Sequence, residues 1–224
     1  SHGLRTGLQV DRPRPEYTEH YRRYYEAGAA KTKKKTPIEP RFDNRLKRQT
    51  GILIAGSAGQ KIKSVASLFA EAAMYSKLHA TQKDDYPITV QTGHSVSEII
   101  VSPEPIQYTG IDSPDFFVVL SADGLARLRA RIEKLSASCI LYAEETLELP
   151  ATNAQVRRLP FAGLGKRVGG SYLATAALAA LLEDSRIFPP EAFATAIESF
   201  QSDEIARLNL NALGAGVELA KKAL

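Results

Sequence analysis

The chain has 224 residues, of which 44% are apolar, and a formal net charge of +4 at pH 7. That apolar share excludes a wholly disordered chain, and the length fits one α/β domain with extensions or at most two small domains. No apolar run approaches the roughly 20 residues that span a bilayer and the N-terminal stretch lacks the apolar centre of a signal peptide, so a soluble, cytoplasmic protein is expected.

Charge is unevenly placed. Residues 1–50 hold 13 Lys and Arg against 6 Asp and Glu, a net of +7, and the remainder holds 16 against 19, a net of −3. The basic character therefore belongs to an N-terminal extension, residues 1–50, in which Pro13, Pro15, Pro37 and Pro40 break periodicity. Within it, "EYTEHYRRYYEAGAAK" reads as one short helix with Tyr17, Tyr21, Tyr24 and Tyr25 on a single stripe. A stripe of that kind is expected to dock on a partner chain or on the chain's own domain. "KTKKK" (Lys31 to Lys35) reads as a solvated linker. The alternative is a nucleic-acid-binding arm, in which interleaved Tyr and Arg stack on bases and neutralise phosphate. With no recognisable module beside it, that reading is disfavoured.

The globular part is expected over 51–224. "ILIA" (Ile52 to Ala55) has the continuous apolar character of a strand buried on both faces. A glycine turn follows, and then a helix from about Gln60 to Lys77 carrying Val65, Leu68, Phe69, Ala72 and Ala73 inward. "HATQ" is a weak strand, and "TVQTG" with "VSEIIVS" reads as a hairpin or a strand beside a loop. "DFFVVLS" (Asp115 to Ser121) is a buried strand, "ADGLARLRARIEKL" an amphipathic helix with Leu125, Leu128, Ile132 and Leu135 inward, and "SCILYAE" the next strand. The order β-α-β-β-β-α-β argues a mostly parallel, Rossmann-like sheet with packed helices. The C-terminal third is helical. "SYLATAALAALLED" is expected to be buried over most of its surface, "PPEAFATAIESF" has proline in its first turn, and the final helix starts at Ser202 with Asp203 and Glu204 at its positive end.

The turn in "GILIAGSAGQKIKS" (Gly51 to Ser64) is a damaged nucleotide motif. A P-loop requires Gly before its lysine, but Gln60 precedes Lys61; the dinucleotide pattern requires Gly where Ala58 and Lys61 stand. The remaining capacity is that of free N–H groups at a helix start, which favour an anion by about 0.3–1 kcal/mol. A free-standing nucleotide-binding α/β enzyme stays open as an alternative. Cys139, the single cysteine, sits in an apolar run and reads as a small buried hydrophobe; alone it forms no internal disulfide and cannot ligate an iron–sulfur cluster, which needs about four thiolates. The histidines His2, His20, His79 and His94 offer no pair at zinc-ligand spacing.

Taken with "DDYPITVQTGHSVSEIIVSPEPI" (Asp84 to Ile106) and "LNLNALGAG", the turn resembles the gamma subunit or domain of the 2-oxoacid:ferredoxin (acceptor) oxidoreductase family, of the pyruvate, ketoisovalerate or phenylglyoxylate type. The resemblance rests on Gly56, Gly59 and Gln60 in the first segment, and on Tyr86, Gly93, Ser95, Ser102, Pro105 and Ile106 in the second. Asp115, Asn211 and Gly216 add to it, over about residues 51–220. Glycines of the family pattern are replaced by Ala58 and Lys61, its second-segment arginine by Gln91 and the glycine after that by Thr92. The resemblance implies a complex that converts a 2-oxoacid and coenzyme A to acyl-CoA and CO2. Thiamine diphosphate, Mg2+ and [4Fe-4S] clusters would be held by partner chains: alpha and beta catalytic subunits and a cluster-bearing delta-type subunit. Ferredoxin or an NAD-reducing subunit would accept the electrons. This chain would be an accessory packed on the catalytic chains, helping to close over coenzyme A and not catalytic by itself. Gly56, Gly59, Gln60, Tyr86, Gln91, Thr92, Gly93, His94 and Ser95 are then expected to face coenzyme A or the catalytic chains. Tyr17, Tyr21, Tyr24 and Tyr25 are expected to contact a partner.

Overall fold

The structure is a computed structural model and describes residues 37–85 and 93–224. A six-stranded sheet, in the spatial order β2-β3-β1-β4-β5-β6, carries six α-helices among the described residues. The strands are β1 (Thr50–Ser57), β2 (His79–Asp85), β3 (His94–Ser102), β4 (Phe116–Val119), β5 (Ile140–Glu144) and β6 (Gln155–Leu159). β1, β4, β5 and β6 run parallel, while β3 is antiparallel to both β1 and β2, so one strand in six is reversed. The expected mixed α/β architecture with a mostly parallel sheet is what forms.

The helices are α1 (Ile62–Tyr75), α2 (Ala122–Ile132), α3 (Phe161–Val168), α4 (Leu173–Ser185), α5 (Pro190–Phe200) and α6 (Asp203–Ala223). They divide unequally between the two faces. Ile52, Ile54, Ile99, Val101, Val118 and Tyr142 point to a large core built with α1, α3, α4, α5 and α6. Their alternates Leu53, Ala55, Val96, Ile100, Phe117 and Val119 point to a smaller core with α2. The alternation is the pleat expressed as burial. α4 is buried from Leu173 through Leu182, as its Ala/Leu composition predicts, because it lies beneath α6 rather than at the surface.

Two elements escape the sequence reading. β6, "QVRRL", has one aliphatic residue before its last position, because it is an edge strand whose outer side is solvated; α3, "FAGLGKRV", is short and holds two glycines. The N-terminal side also differs from a start at Gly51. Residues 37–49 form a strap on the domain, in which the Arg41 and Phe42 N–H groups donate to Tyr75 O, Arg45 N–H donates to Ile187 O, and Asn44 Nδ2 donates to Ser76 O at 2.8 Å.

The α4–α6 contact depends on one missing side chain. A Cβ on Gly216 would land on the Ala176 carbonyl, so the backbones approach as closely as glycine permits. The same crossing is tied by Thr175 Oγ1 donating to Asn209 Oδ1 at 2.6 Å and Asn209 Nδ2 donating to Gln201 Oε1 at 2.8 Å. Gly216→Ala is expected to lower stability by about 2–3 kcal/mol, the range of core overpacking, and the melting temperature by about 5–10 °C. Gly214→Ala, two residues earlier where nothing lies near a Cβ, should raise stability by up to about 1 kcal/mol. Thermal unfolding of the two variants checks both.

Candidate functional site at the carboxyl edge of the sheet

β1 ends at Ser57 and the chain turns through Ala58–Lys61 into α1. The turn is built from inside. Gln60 folds its side chain back, and Oε1 accepts the Ser57 N–H at 2.8 Å. A Cβ on Gly56 would collide with that same oxygen, so Gly56 and Gln60 form a matched pair in which the missing methyl makes room for the amide. Gly59, at φ 91°, is needed for its backbone angle, since nothing crowds its Cβ position. Lys61 takes the left-handed conformation, φ 54° and ψ 28°, as the residue before α1. That costs a lysine about 1–2 kcal/mol relative to glycine. Its ammonium lies 4.9 Å from the centroid of the Tyr172 ring, a cation–π contact.

The expected neighbour, the start of β3, is beside this turn. Ala58 N–H donates to Gly93 O at 2.8 Å, and Gly56 and Ser57 pair across the sheet with Ser95 and His94. Of the sequence-predicted site residues, Gly56, Gly59, Gln60, Gly93, His94 and Ser95 therefore come together. Tyr86, Gln91 and Thr92, and the arm residues Tyr17, Tyr21, Tyr24 and Tyr25, lie outside the described residues. Asn211, also marked by the resemblance, is exposed, and the buried asparagine of α6 is Asn209.

Residues from three further elements complete the edge. On α2, Asp123 accepts a hydrogen bond from Ser57 Oγ at 2.7 Å, and Arg127 donates to Asp85 Oδ2 through Nε at 2.9 Å and Nη2 at 2.6 Å. His94 Nε2 stands 3.7 Å from that oxygen. Gly124 brings α2 against β1, with its Cβ position 2.8 Å from the backbone of Ala55 and Gly56. The close helix–strand contact that Lys61 cannot make is thus made by Gly124, and a glycine in the first turn of "ADGL" was the available sign of it. At the end of β5, buried Glu144 accepts the Thr146 N–H and hydroxyl through Oε1 and the Ala162 N–H through Oε2 at 2.6 Å, closing the start of α3.

Chemically this edge offers binding groups. The first turn of α1 has neither an acidic residue nor a side-chain cap, and Lys61 is the residue immediately before it, a combination that favours an anion. The single cysteine is elsewhere: Cys139 precedes β5 at the opposite end of that strand, fully buried, with its thiol pushed up to about 12 by desolvation and by the Asp115 carboxylate.

Residues 51–219 match the family described as pyruvate ferredoxin/flavodoxin oxidoreductase. The chain belongs to that family. The 2-oxoglutarate synthase subunit KorC of Methanocaldococcus jannaschii is 26% identical over 184 residues, 80% of this chain and 97% of that subunit. The ketoisovalerate oxidoreductase subunit VorA of Methanothermobacter marburgensis is 25% identical over 182 residues, 79% of this chain and 38% of that longer subunit. The gamma subunit of a keto/oxoacid ferredoxin oxidoreductase from Geobacter sulfurreducens superposes with a TM-score of 0.66 at 25% identity, over 78% of this chain and 98% of that one. The family resemblance carried by the two glycine-containing segments is thereby confirmed, and the domain is homologous to oxidoreductase gamma subunits.

A buried thiol has a pH signature. Its pKa rises from 9.0 in the unfolded chain to about 12 in the fold, so the unfolded state releases the proton first. Stability from this group is complete below pH 9 and falls as pH rises from 9 toward 12. Cys139→Ala should flatten the loss between pH 9 and 10.5 in denaturant titrations. At pH 8 the native chain should leave a thiol reagent unreacted until it is unfolded.

Proposed function

We propose that this chain is the accessory, gamma-type subunit of a multi-subunit 2-oxoacid oxidoreductase that converts a 2-oxoacid and coenzyme A to acyl-CoA and CO2. One observation carries the reading: the matched region, 51–219, coincides with the α/β domain from β1 to α6, and the KorC relative is covered almost from end to end. What is shared with KorC is nearly that whole subunit, and with the longer VorA one part of it.

The chain's own residues do not fit the redox groups of such a complex. A [4Fe-4S] cluster needs about four thiolates, and the one thiol here is buried and held protonated. Among the described residues no group of three or more His, Cys, Asp or Glu is arranged for a metal. The sequence also lacks the Gly-Asp and Asn-Asn pair of a thiamine diphosphate site. Thiamine diphosphate, Mg2+ and the clusters are therefore assigned to alpha, beta and delta-type partners, with ferredoxin or an NAD-reducing subunit beyond them.

Coenzyme A is a different case, because its phosphates suit the uncapped start of α1 and the Lys61 ammonium beside it. In this reading the N–H groups of the first turn of α1 and the Lys61 ammonium face phosphate, and Gly93, His94 and Ser95 form the adjoining wall, with Tyr86, Gln91 and Thr92 assigned to the same surface. The chain binds and orients; it supplies no electron carrier. The identity of the 2-oxoacid is set by the partner chains, which hold the reacting carbon. The tyrosine stripe, Tyr17, Tyr21, Tyr24 and Tyr25, is assigned to a partner-chain contact.

Native mass spectrometry of the protein purified from its source should find it in a complex with larger chains, iron and thiamine diphosphate; isolation as a lone chain overturns the proposal. Deleting residues 1–34 should reduce the assembled fraction several-fold while thermal unfolding of the isolated domain shifts by less than about 2 °C. The cut leaves the strap at 37–49 and its bonds to Tyr75, Ser76 and Ile187 in place.

A further inference from the structure

Three strand termini lie side by side at the carboxyl edge, and side chains of α2 bond two of them, the ends of β1 and β2. Ser57, the last residue of β1, donates to Asp123 at 2.7 Å. Asp85, the last residue of β2, receives two hydrogen bonds on Oδ2 from Arg127, one turn further along α2. His94, the first residue of β3, turns Nε2 toward that same Oδ2 at 3.7 Å; the atom is shielded from solvent and has no hydrogen bond among the described residues. Gly124, between Asp123 and Arg127, keeps the helix in backbone contact with β1.

The ion pair is poorly explained as a stabilising device. The Asp85 and Arg127 side chains are 48% and 49% exposed, and pairs of that kind contribute little to folding. Its geometry is more specific than its energy. Both guanidinium bonds converge on one carboxylate oxygen, which fixes the end of β2 against α2. Gly93, next to His94, receives the Ala58 N–H, so the position of the β3 start is passed directly to the glycine turn.

We infer that Arg127, through Asp85, and Asp123, through Ser57, are positioning residues that set the separation of the β1 turn from the β2 and β3 ends, and so the affinity of this edge for coenzyme A. The inference rests on the proposed function above. Neither residue touches the ligand. A small misplacement of binding groups is expected to appear in affinity for the ligand and not in the chemical step, which partner chains perform.

The test uses the intact complex, carrying Arg127→Met, Arg127→Lys, Asp85→Asn, the Asp85→Asn/Arg127→Met pair, and Arg129→Met as a control. Arg129 is on the same helix, and its ion pair is local, with Glu133 immediately after the end of α2. Acyl-CoA formation is measured against coenzyme A concentration, with native mass and thermal unfolding recorded for each variant. Arg127→Met should raise the KM for coenzyme A about three- to tenfold with kcat within twofold and the complex intact. Arg127→Lys should recover part of the loss, the double variant should add less than twofold to Arg127→Met, and Arg129→Met should match wild type. A KM within twofold of wild type for both Arg127→Met and Asp85→Asn in intact complexes overturns the inference. So does an equal effect of Arg129→Met, or a rise in KM that tracks a fall in melting temperature. If Arg127→Met fails to assemble, Arg127→Lys and Asp85→Asn decide by the same criteria. A wild-type complex that makes no acyl-CoA removes the functional reading and this inference together, whereas a null confined to the variants removes the positioning role alone.

Discussion

Everything in this domain is arranged about β1, because it alone has to satisfy both kinds of neighbour. On one side it pairs antiparallel with β3 over its whole length, and on the other it pairs parallel with β4 from Ile52 to Ala55. Both its faces are buried, so each of Ile52, Leu53 and Ile54 removes a full side chain from water, about 1.5–3 kcal/mol apiece. With no free edge and no free face, its two ends are the places where polar groups must be satisfied. Gly51 N–H is bonded by Asp115, which also pairs with Arg48 of the strap, and Ala55 O accepts the Leu120 N–H as β4 leaves the sheet. The carboxyl end therefore emerges at a fixed height, with its turn presented beside β3, and the site is a consequence of that placement.

Much of the sheet was legible because its central strands are uniformly apolar and short. What remained hidden was hidden for definite reasons. β6 is an edge strand, so Arg157 and Arg158 interrupt the apolar pattern; Arg157 Nε lies 3.1 Å from Asp184, and Arg158 donates to the carbonyls of Glu145 and Leu147. α3 is anchored at its start by a carboxylate 18 residues away, Glu144, a contact that no window of local sequence contains. The asparagine of α6 that becomes buried is decided by where the helix crosses α4, which distinguishes Asn209 from Asn211 only after the Gly216–Ala176 contact is known.

The site shows the same division. Its glycines and its glutamine were visible as a pattern, yet their roles differ from those the pattern suggests. Gln60 is turned inward, as a brace for the Ser57 N–H, so its carbonyl oxygen is consumed by the turn. Gly56 is small for the sake of Gln60, and Gly59 is needed for its φ. The partner residues on α2 lie 66 and 42 residues from the groups they bind, and charge pairs at such separations carry no periodic signature.

The two replaced glycines have separate consequences. Ala58 is tolerated because the backbone N–H at that position is already committed to Gly93, so a methyl group there does not disturb the bond that joins the two segments. Lys61 keeps the left-handed geometry and accepts its strain, while the cation–π contact with Tyr172 returns about 0.5–1 kcal/mol at an exposed site. The backbone path of the turn is therefore preserved without the glycine, and what changes is charge. A neutral position at the opening of a helix N-terminus has become a cation whose one described contact is an aromatic face, which neutralises nothing. In a domain that carries a net −3 outside its first 50 residues, and at an edge that also holds the Asp85 and Asp123 carboxylates, Arg127 is spent on Asp85, whereas Lys61 remains a cation available to an anionic ligand at the turn.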